Sequence, residues 1–380
     1  MRMFVLPVVL FAAVTLTATA YGETIPGVFP EKVRIGQTGV FSGPVAEPGI
    51  QYRAGAQLYF DETNAQGGVY NRKIELVSYD DRFDPSVAAE NTQRLIEDDQ
   101  VFVMFGFIGT GATMGSYPKL REHRIPVVGV LSGADGLRTT DFDLLYHTRA
   151  SYLAEIEKMV EHLKTMGTTQ IALVYQDDPF GRAGLSSARN AFERQEVTPV
   201  IEAPIDMAAL DNLRPVAAQV AERQPPAIIM ITAGRASTAF ISAYQEMGLY
   251  TQFFGVSVLS ANDLIANLGD RAHGIVIAQV VPSPSRTANR LAREFRGVIE
   301  RTGSSDDTHN SLEGYLSAKV FVEALRRAGP DLTREGFVAA LSSFDNHDVG
   351  GMTINYARGS RLGSSFVDLS IVRNDGRLVH

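Results

Sequence analysis

The 380-residue chain contains no cysteine. That excludes disulfides, a thiol nucleophile, and a lipid anchor attached through a cysteine behind an export signal. Histidine is sparse: the seven stand at 123, 147, 162, 273, 309, 347 and 380, without metal-ligand spacing. The signatures HExxH and GxSxG are both missing, so the common zinc-protease and serine-hydrolase patterns have no footing. Positive charge is in deficit, with 35 Lys and Arg against 43 Asp and Glu and a net charge of -8. There is accordingly no basic footprint for nucleic acid and no charged tail.

One apolar run is present, at the start. Met1-Arg2-Met3 gives a short positive lead, residues 4–16 are almost uninterruptedly apolar, and Ala18-Thr19-Ala20 or Ala20-Tyr21-Gly22 offers a small-residue cleavage site. The run is shorter than the roughly 20 residues of a membrane span, and no later segment approaches that length. Residues 1–22 are therefore expected to be a cleavable signal peptide. Without a lipid anchor, the mature protein is expected free in the periplasm.

The remaining chain alternates short apolar runs with helical patterns. Strands are expected at 33–38, 73–79, 101–106 and 126–130, with helices at 51–64, 85–98 and 112–124. Asp84 and Pro85 form a cap and first-turn pair for the second of these helices. After a polar crossing at 145–149 the alternation restarts. Helices at 151–166, 181–195, 213–222 and 236–247 alternate with strands at 171–175, 200–203, 227–232 and 253–256. The last third is less regular, with a strand at 274–280, a second extended crossing at 281–285 and helices at 287–301, 311–328 and 333–341. A hairpin is expected from 367–373 to 377–379 through Asn374-Asp375-Gly376. Repeated βα units of this length imply mainly parallel sheets covered by helices on both faces, in two series.

Two local clusters invite chemistry. Asp80, Asp81 and Asp84 could suggest calcium, but capping and a solvated loop explain them better. Gly109-Thr110-Gly111-Ala112-Thr113 follows an apolar strand, yet Met114 holds the place of the third glycine of a dinucleotide fingerprint and no Walker lysine follows. What is left is a small-residue turn and a helix N-terminus, whose free N–H groups favour a polar or anionic ligand.

Several segments together resemble a known family. They are Phe41-Ser42-Gly43-Pro44 with Gly49, Asn64-Ala65-Gln66-Gly67-Gly68-Val69, Tyr79-Asp80-Asp81 with Asp84-Pro85, Ser132-Gly133-Ala134, and Arg149-Ala150-Ser151-Tyr152. Tyr175-Gln176-Asp177-Asp178-Pro179-Phe180-Gly181 and Gly248-Leu249-Tyr250-Thr251-Gln252-Phe253 complete the set. In this order the chain resembles the type I periplasmic solute-binding proteins of ABC importers, in the branched-chain amino acid or leucine-binding class. The resemblance implies an α/β fold of two doubly wound, Rossmann-like lobes joined by three crossing strands, the third near 348–351. It implies an N-terminal lobe of 23–148 plus 283–349 and a C-terminal lobe of 149–282 plus 350–380. It further implies a small-molecule ligand trapped by hinge closure, ABC permease subunits as partners, a monomer, and neither enzyme activity nor a cofactor.

Carried over residue by residue, the ligand contacts fall on Thr110, Gly111, Leu131, Ser132 and Gly133 from one lobe and Phe180, Ala233 and Ser257 from the other. Three positions depart from the family pattern. Pro48 replaces an aromatic, Ala233 a tyrosine, and Ser257 the glutamate that pairs with the ammonium of an amino acid. An unpaired buried ammonium is costly, which argues against a free α-amino acid. Arg149 and Tyr152 follow the first crossing, where a guanidinium could clamp a carboxylate or form a salt bridge across the hinge. The first option favours an organic acid, aromatic acids included, although Glu47, Asp177 or Asp178 could still supply an anion. A ligand sensor signalling to a receptor is the competing reading, and an exported hydrolase lacks any visible nucleophile–base pair.

Overall fold

The computed structural model describes residues 25–139, 143–373 and 378–379. The expected signal segment and the Asn374-Asp375-Gly376 turn lie outside these residues. The chain begins with β1 (Lys32–Gly39), α1 (Glu47–Ala65), β2 (Lys73–Asp80), α2 (Pro85–Glu97), β3 (Met104–Phe105), α3 (Thr110–Glu122), β4 (Val127–Val128) and β5 (Leu145–Tyr146). These strands form one parallel sheet in the order β2-β1-β3-β4-β5. The apolar run 101–105 is wholly buried, but only Met104 and Phe105 make ladder pairs.

Local chemistry sets the element ends. Pro85 stands at the start of α2, and Asp84 accepts hydrogen bonds from the Ser86 and Val87 amides at 2.8 and 3.4 Å. Asp80 accepts from the amides of Phe41 and Arg82 at 2.9 and 3.0 Å, and Asp81 from that of Phe83 at 2.9 Å. The acidic cluster thus holds a turn together. Among the described residues, no group of carboxylates and histidines is arranged to hold a metal ion.

The second series comprises α4 (Tyr152–Thr165), β6 (Ile171–Gln176), α5 (Pro179–Arg194), β7 (Ile201–Ile205), α6 (Arg214–Ala221), β8 (Ala227–Ile231), α7 (Gly234–Gln245), β9 (Gln252–Gly255), α8 (Ala261–Leu268) and β10 (Val276–Gln279). Then follow α9 (Arg290–Thr302), α10 (His309–Ala328), α11 (Arg334–Ser342), β11 (His347–Asp348), β12 (Thr353–Ile354), β13 (Asp368–Val372) and β14 (Leu378–Val379). The second sheet runs β14-β13-β10-β9-β8-β6-β7, parallel from β7 to β10 and antiparallel at β13 and β14. Helix α8 was not expected from the sequence. It is short, and Asn262 and Asp263 interrupt its apolar pattern, but Ser260 caps it by accepting from the Asp263 amide at 3.2 Å.

After β10 the chain returns to the first sheet. Helix α10 lies against α1 at backbone contact, which is why glycines stand at the crossing. A Cβ on Gly55 would fall 1.8 Å from the Ser311 carbonyl oxygen, and one on Gly314 would fall 1.9 Å from that of Tyr52. Behind them Phe60, Phe105 and Phe321 pack edge to face, with centroids 5.1 to 6.0 Å apart. The expected third crossing at 348–351 is instead the turn of the hairpin β11–β12, because Gly350 and Gly351 adopt φ of +105° and +89°. The passage to the second sheet comes later. Tyr356 still bonds back to Phe344, and Arg361 accepts from the His147 amide at 2.8 Å before β13 begins.

Candidate functional site

Four helix starts face one another between the two halves. Helix α1 carries Pro48 in its first turn, and α3 begins after Gly109 at φ +100°. From the other half, α5 begins at Pro179 under an Asp178 cap to the Gly181 amide at 2.9 Å, and α7 begins at Gly234 with φ +50°. Pro48, Leu131, Tyr152, Phe180, Ala233 and Val258 line a cavity of about 30 Å³ among these ends. Five of these six are residues singled out in the sequence; Val258 is not. The Tyr152 and Phe180 rings meet edge-on, with centroids 5.5 Å apart.

A space of that size holds about one water molecule. The halves approach closely at this point, and hydrogen bonds join them. The Arg235 amide donates to the Pro44 carbonyl at 3.1 Å, and Ser187 Oγ donates to Asp135 Oδ2 at 2.6 Å. A Cβ on Gly234 would lie 2.2 Å from the Pro44 carbonyl oxygen, so the close approach of the loop depends on glycine there.

The small polar residues beside the cavity are engaged with one another. The Thr110 and Ser132 hydroxyls, both buried, are 2.8 Å apart, and Ser132 Oγ accepts from the Ala134 amide at 3.2 Å. The Tyr152 amide donates to the Gly133 carbonyl at 2.7 Å, and a Cβ on Gly133 would fall 2.6 Å from the tyrosine ring. Gly111 packs near Pro179 across the interface, its added Cβ 3.5 Å from the proline Cγ.

Arg149 is not open to the cleft. Its side chain is fully buried and ion-paired to Glu155 of α4 at 2.9 Å and to Glu313 of α10 at 3.4 Å, with a further bond to Ser257 Oγ. The Ser257 amide and hydroxyl donate to the two Glu155 oxygens at 2.7 and 3.0 Å. This is the salt bridge across the hinge, and it replaces the reading of Arg149 as a carboxylate clamp. Both partners of the guanidinium are supplied by the protein, which leaves no free face for a solute carboxylate. Burial pushes the Glu313 carboxyl up to about 7 against the opposing pull of Arg149. Burial lowers the Arg149 pKa, but Glu313 and Glu155 outweigh it and hold the guanidinium above its ordinary value.

The other candidate anions are also accounted for. Asp177 pairs with Arg182 at 2.7 Å, and Asp178 accepts from Gln176 Nε2 at 2.8 Å besides capping α5. Glu47 accepts from Gln51 Nε2 at 2.6 Å, and burial together with Asp263 of the other half raises its pKa to about 7.

A second space between the halves, of about 600 Å³, was not anticipated. Gln51, Gln279, Ser260, Ser283, Thr308 and Asn310 contribute to its lining, and Ser257 forms part of its wall. No motif contains these residues. The only sequence signal was the extended crossing at 281–285, which supplies Ser283 and its neighbours. Glu155 and Glu313 were likewise missed, although Glu313 stands between the apolar Leu312 and Gly314-Tyr315-Leu316 of α10.

A family model described as periplasmic binding protein matches residues 32–372. The Leu/Ile/Val-binding protein homolog 7 of Brucella suis biovar 1 is 22% identical over 349 residues, covering 86% of this chain and 84% of that protein. A substrate-binding periplasmic protein from Ralstonia solanacearum has 30% identity and a TM-score of 0.84, over 91% of this chain and 99% of that one. A possible leucine/isoleucine/valine-binding protein from Rhodopirellula baltica SH 1 has 26% identity and a TM-score of 0.87, over 94% and 98% of the two chains.

Proposed function

The chain belongs to the periplasmic binding protein family, in its branched-chain amino acid class, and from that premise we propose that it is the solute-binding component of an ABC importer. Export through residues 1–22 is part of this proposal. The observation that carries it is the convergence of Pro48 and Leu131 from one half with Phe180, Ala233 and Val258 from the other on one small apolar cavity. A site walled by both halves suits capture by hinge closure, because a bound solute touches each of them.

The site supports a solute other than leucine or valine. Ser257 stands where the resemblance expects a glutamate for the ammonium group, and the nearest carboxylate, Glu155, is committed to Arg149. The organic-acid reading loses its guanidinium in the same network.

Calorimetric titration and thermal-shift screening of the mature protein test the proposal. A bound solute at 100 times its dissociation constant is expected to add about 2.7 kcal/mol of stability. Deleting the gene is expected to abolish uptake of that solute, and restoring the chain is expected to recover it. Unimpaired uptake in the deletion strain would count against the importer role.

A further inference from the structure

The larger space between the halves is a built polar chamber rather than a gap. Gln279, at the end of β10 in one half, is 3% exposed; Asn310, in the first turn of α10 in the other, is 6% exposed. Gln279 Nε2 donates to Ser370 Oγ at 2.8 Å, and Asn310 Nδ2 donates to Gln51 Oε1 at 3.0 Å. Each amide thus has an N–H engaged by the protein and keeps its carbonyl oxygen without a protein donor, in a wall of the chamber. Both oxygens open onto the chamber, where each can accept a hydrogen bond from a ligand that donates.

The chamber also limits the ligand's charge. The starts of α8 and α10 both contribute to its lining, and the positive ends of their dipoles disfavour an ammonium group. An anion gains those same ends but meets two carbonyl oxygens. Arg296 and Asp307 stand at the exposed rim with opposite signs, Arg296 already 3.7 Å from Glu300, and His309 is half-buried in the first turn of α10. The deeply buried polar side chains that line the chamber, Gln51, Ser257, Ser260, Gln279, Ser283 and Asn310, are all neutral.

We infer that this chamber seats the polar part of the transported solute, and that the solute is an uncharged molecule bearing hydroxyl or carboxamide donors. This rests on the reading of the chain as a solute-binding protein and narrows its substrate class. Ser257 faces the chamber while its neighbour Val258 faces the apolar cavity, so both spaces adjoin the same turn after β9. An apolar portion of the solute has the cavity beside Phe180 as its place once the halves re-close around it.

The test titrates the full mature chain with myo-inositol, xylitol, ribose, propionamide and glutaramide, against leucine, succinate and benzoate. Binding of an uncharged member, weakened about tenfold or more by Gln279→Met and by Asn310→Ala, is the expected result. Gln279→Glu and Asn310→Asp, which keep shape and an acceptor oxygen but add charge, serve as companions, and circular dichroism confirms that each variant folds. Tight binding of leucine, succinate or benzoate that none of these variants changes would overturn the inference while leaving solute capture intact. Failure of every member of both sets to bind the folded parent would count against both.

Discussion

Two spaces lie between the halves of this molecule, and they differ in almost every respect. The cavity beside Phe180 measures about 30 Å³ and is walled by apolar side chains. The chamber beside Gln279 measures about 600 Å³, and amides and hydroxyls make up much of its wall. The first is built from strand-end loops that carry recognisable motifs, the second from single residues on α1, α8, β10 and α10 that belong to no motif. Between them runs the buried network of Arg149, Glu155, Glu313 and Ser257. The difference teaches that the family's landmarks locate where the halves meet, whereas the polar character of the cleft is written in positions the landmarks do not contain.

The dividing network offers the strongest way to break this comparison. Replacing Arg149 with Met strands two buried carboxylates, and the expected loss is about 3–5 kcal/mol in urea denaturation. The triple change Arg149→Met, Glu155→Gln and Glu313→Gln should recover most of it, since no uncompensated charge remains. A neutral effect of Arg149→Met would show that the two spaces are not separated by a structural ion pair. Truncating Phe180 to Ala comes next, with an expected cost of about 3 kcal/mol because the ring is almost wholly buried against Tyr152. That change also enlarges the apolar space, so it should alter solute affinity without abolishing binding in the polar chamber.

Acidity sharpens the same division. The Glu313 carboxyl is raised in the folded protein to about 7 from an ordinary value of 4.5, first by burial. A raised carboxyl stabilises the fold below its unfolded value, and the contribution is lost as pH rises through about 7. The stability difference between the parent and Glu313→Gln should therefore move against the parent between pH 5 and pH 8. A difference flat across that window would contradict the burial argument. The smallest expected effect is that of Ser187→Ala, which removes the hydrogen bond to Asp135 across the halves at a cost of about 1 kcal/mol. Small-angle scattering of that variant should show more of the open form when no solute is present.

Much of the architecture was legible because short-range chemistry declares it. Asp84 with Pro85 marked a helix start that the structure reproduces as a side-chain cap; Asp178 before Pro179 and Ser151 before α4 cap their helices in the same way. The buried parallel strands announced themselves as apolar runs. Helix α8 escaped because it is only eight residues long, and the third crossing was misplaced because Gly350 and Gly351 make a turn that the sequence presents simply as a glycine pair. The site was less legible for a physical reason. Arg149 finds Glu155 six positions away, Ser257 108 positions away and Glu313 164 positions away. Nothing local in those residues distinguishes a clamp for solute from a buried ion pair, since only tertiary packing brings the partners together.

The central claim is that a solute is held between the two halves and touched by both. A crystal structure of the mature chain with the solute found by titration tests it most directly. The account predicts density bridging Pro48 or Leu131 with Phe180 or Ala233, its polar end within hydrogen-bonding distance of Gln279 and Asn310. Density confined to one half, with the cavity and the chamber both empty, would contradict it.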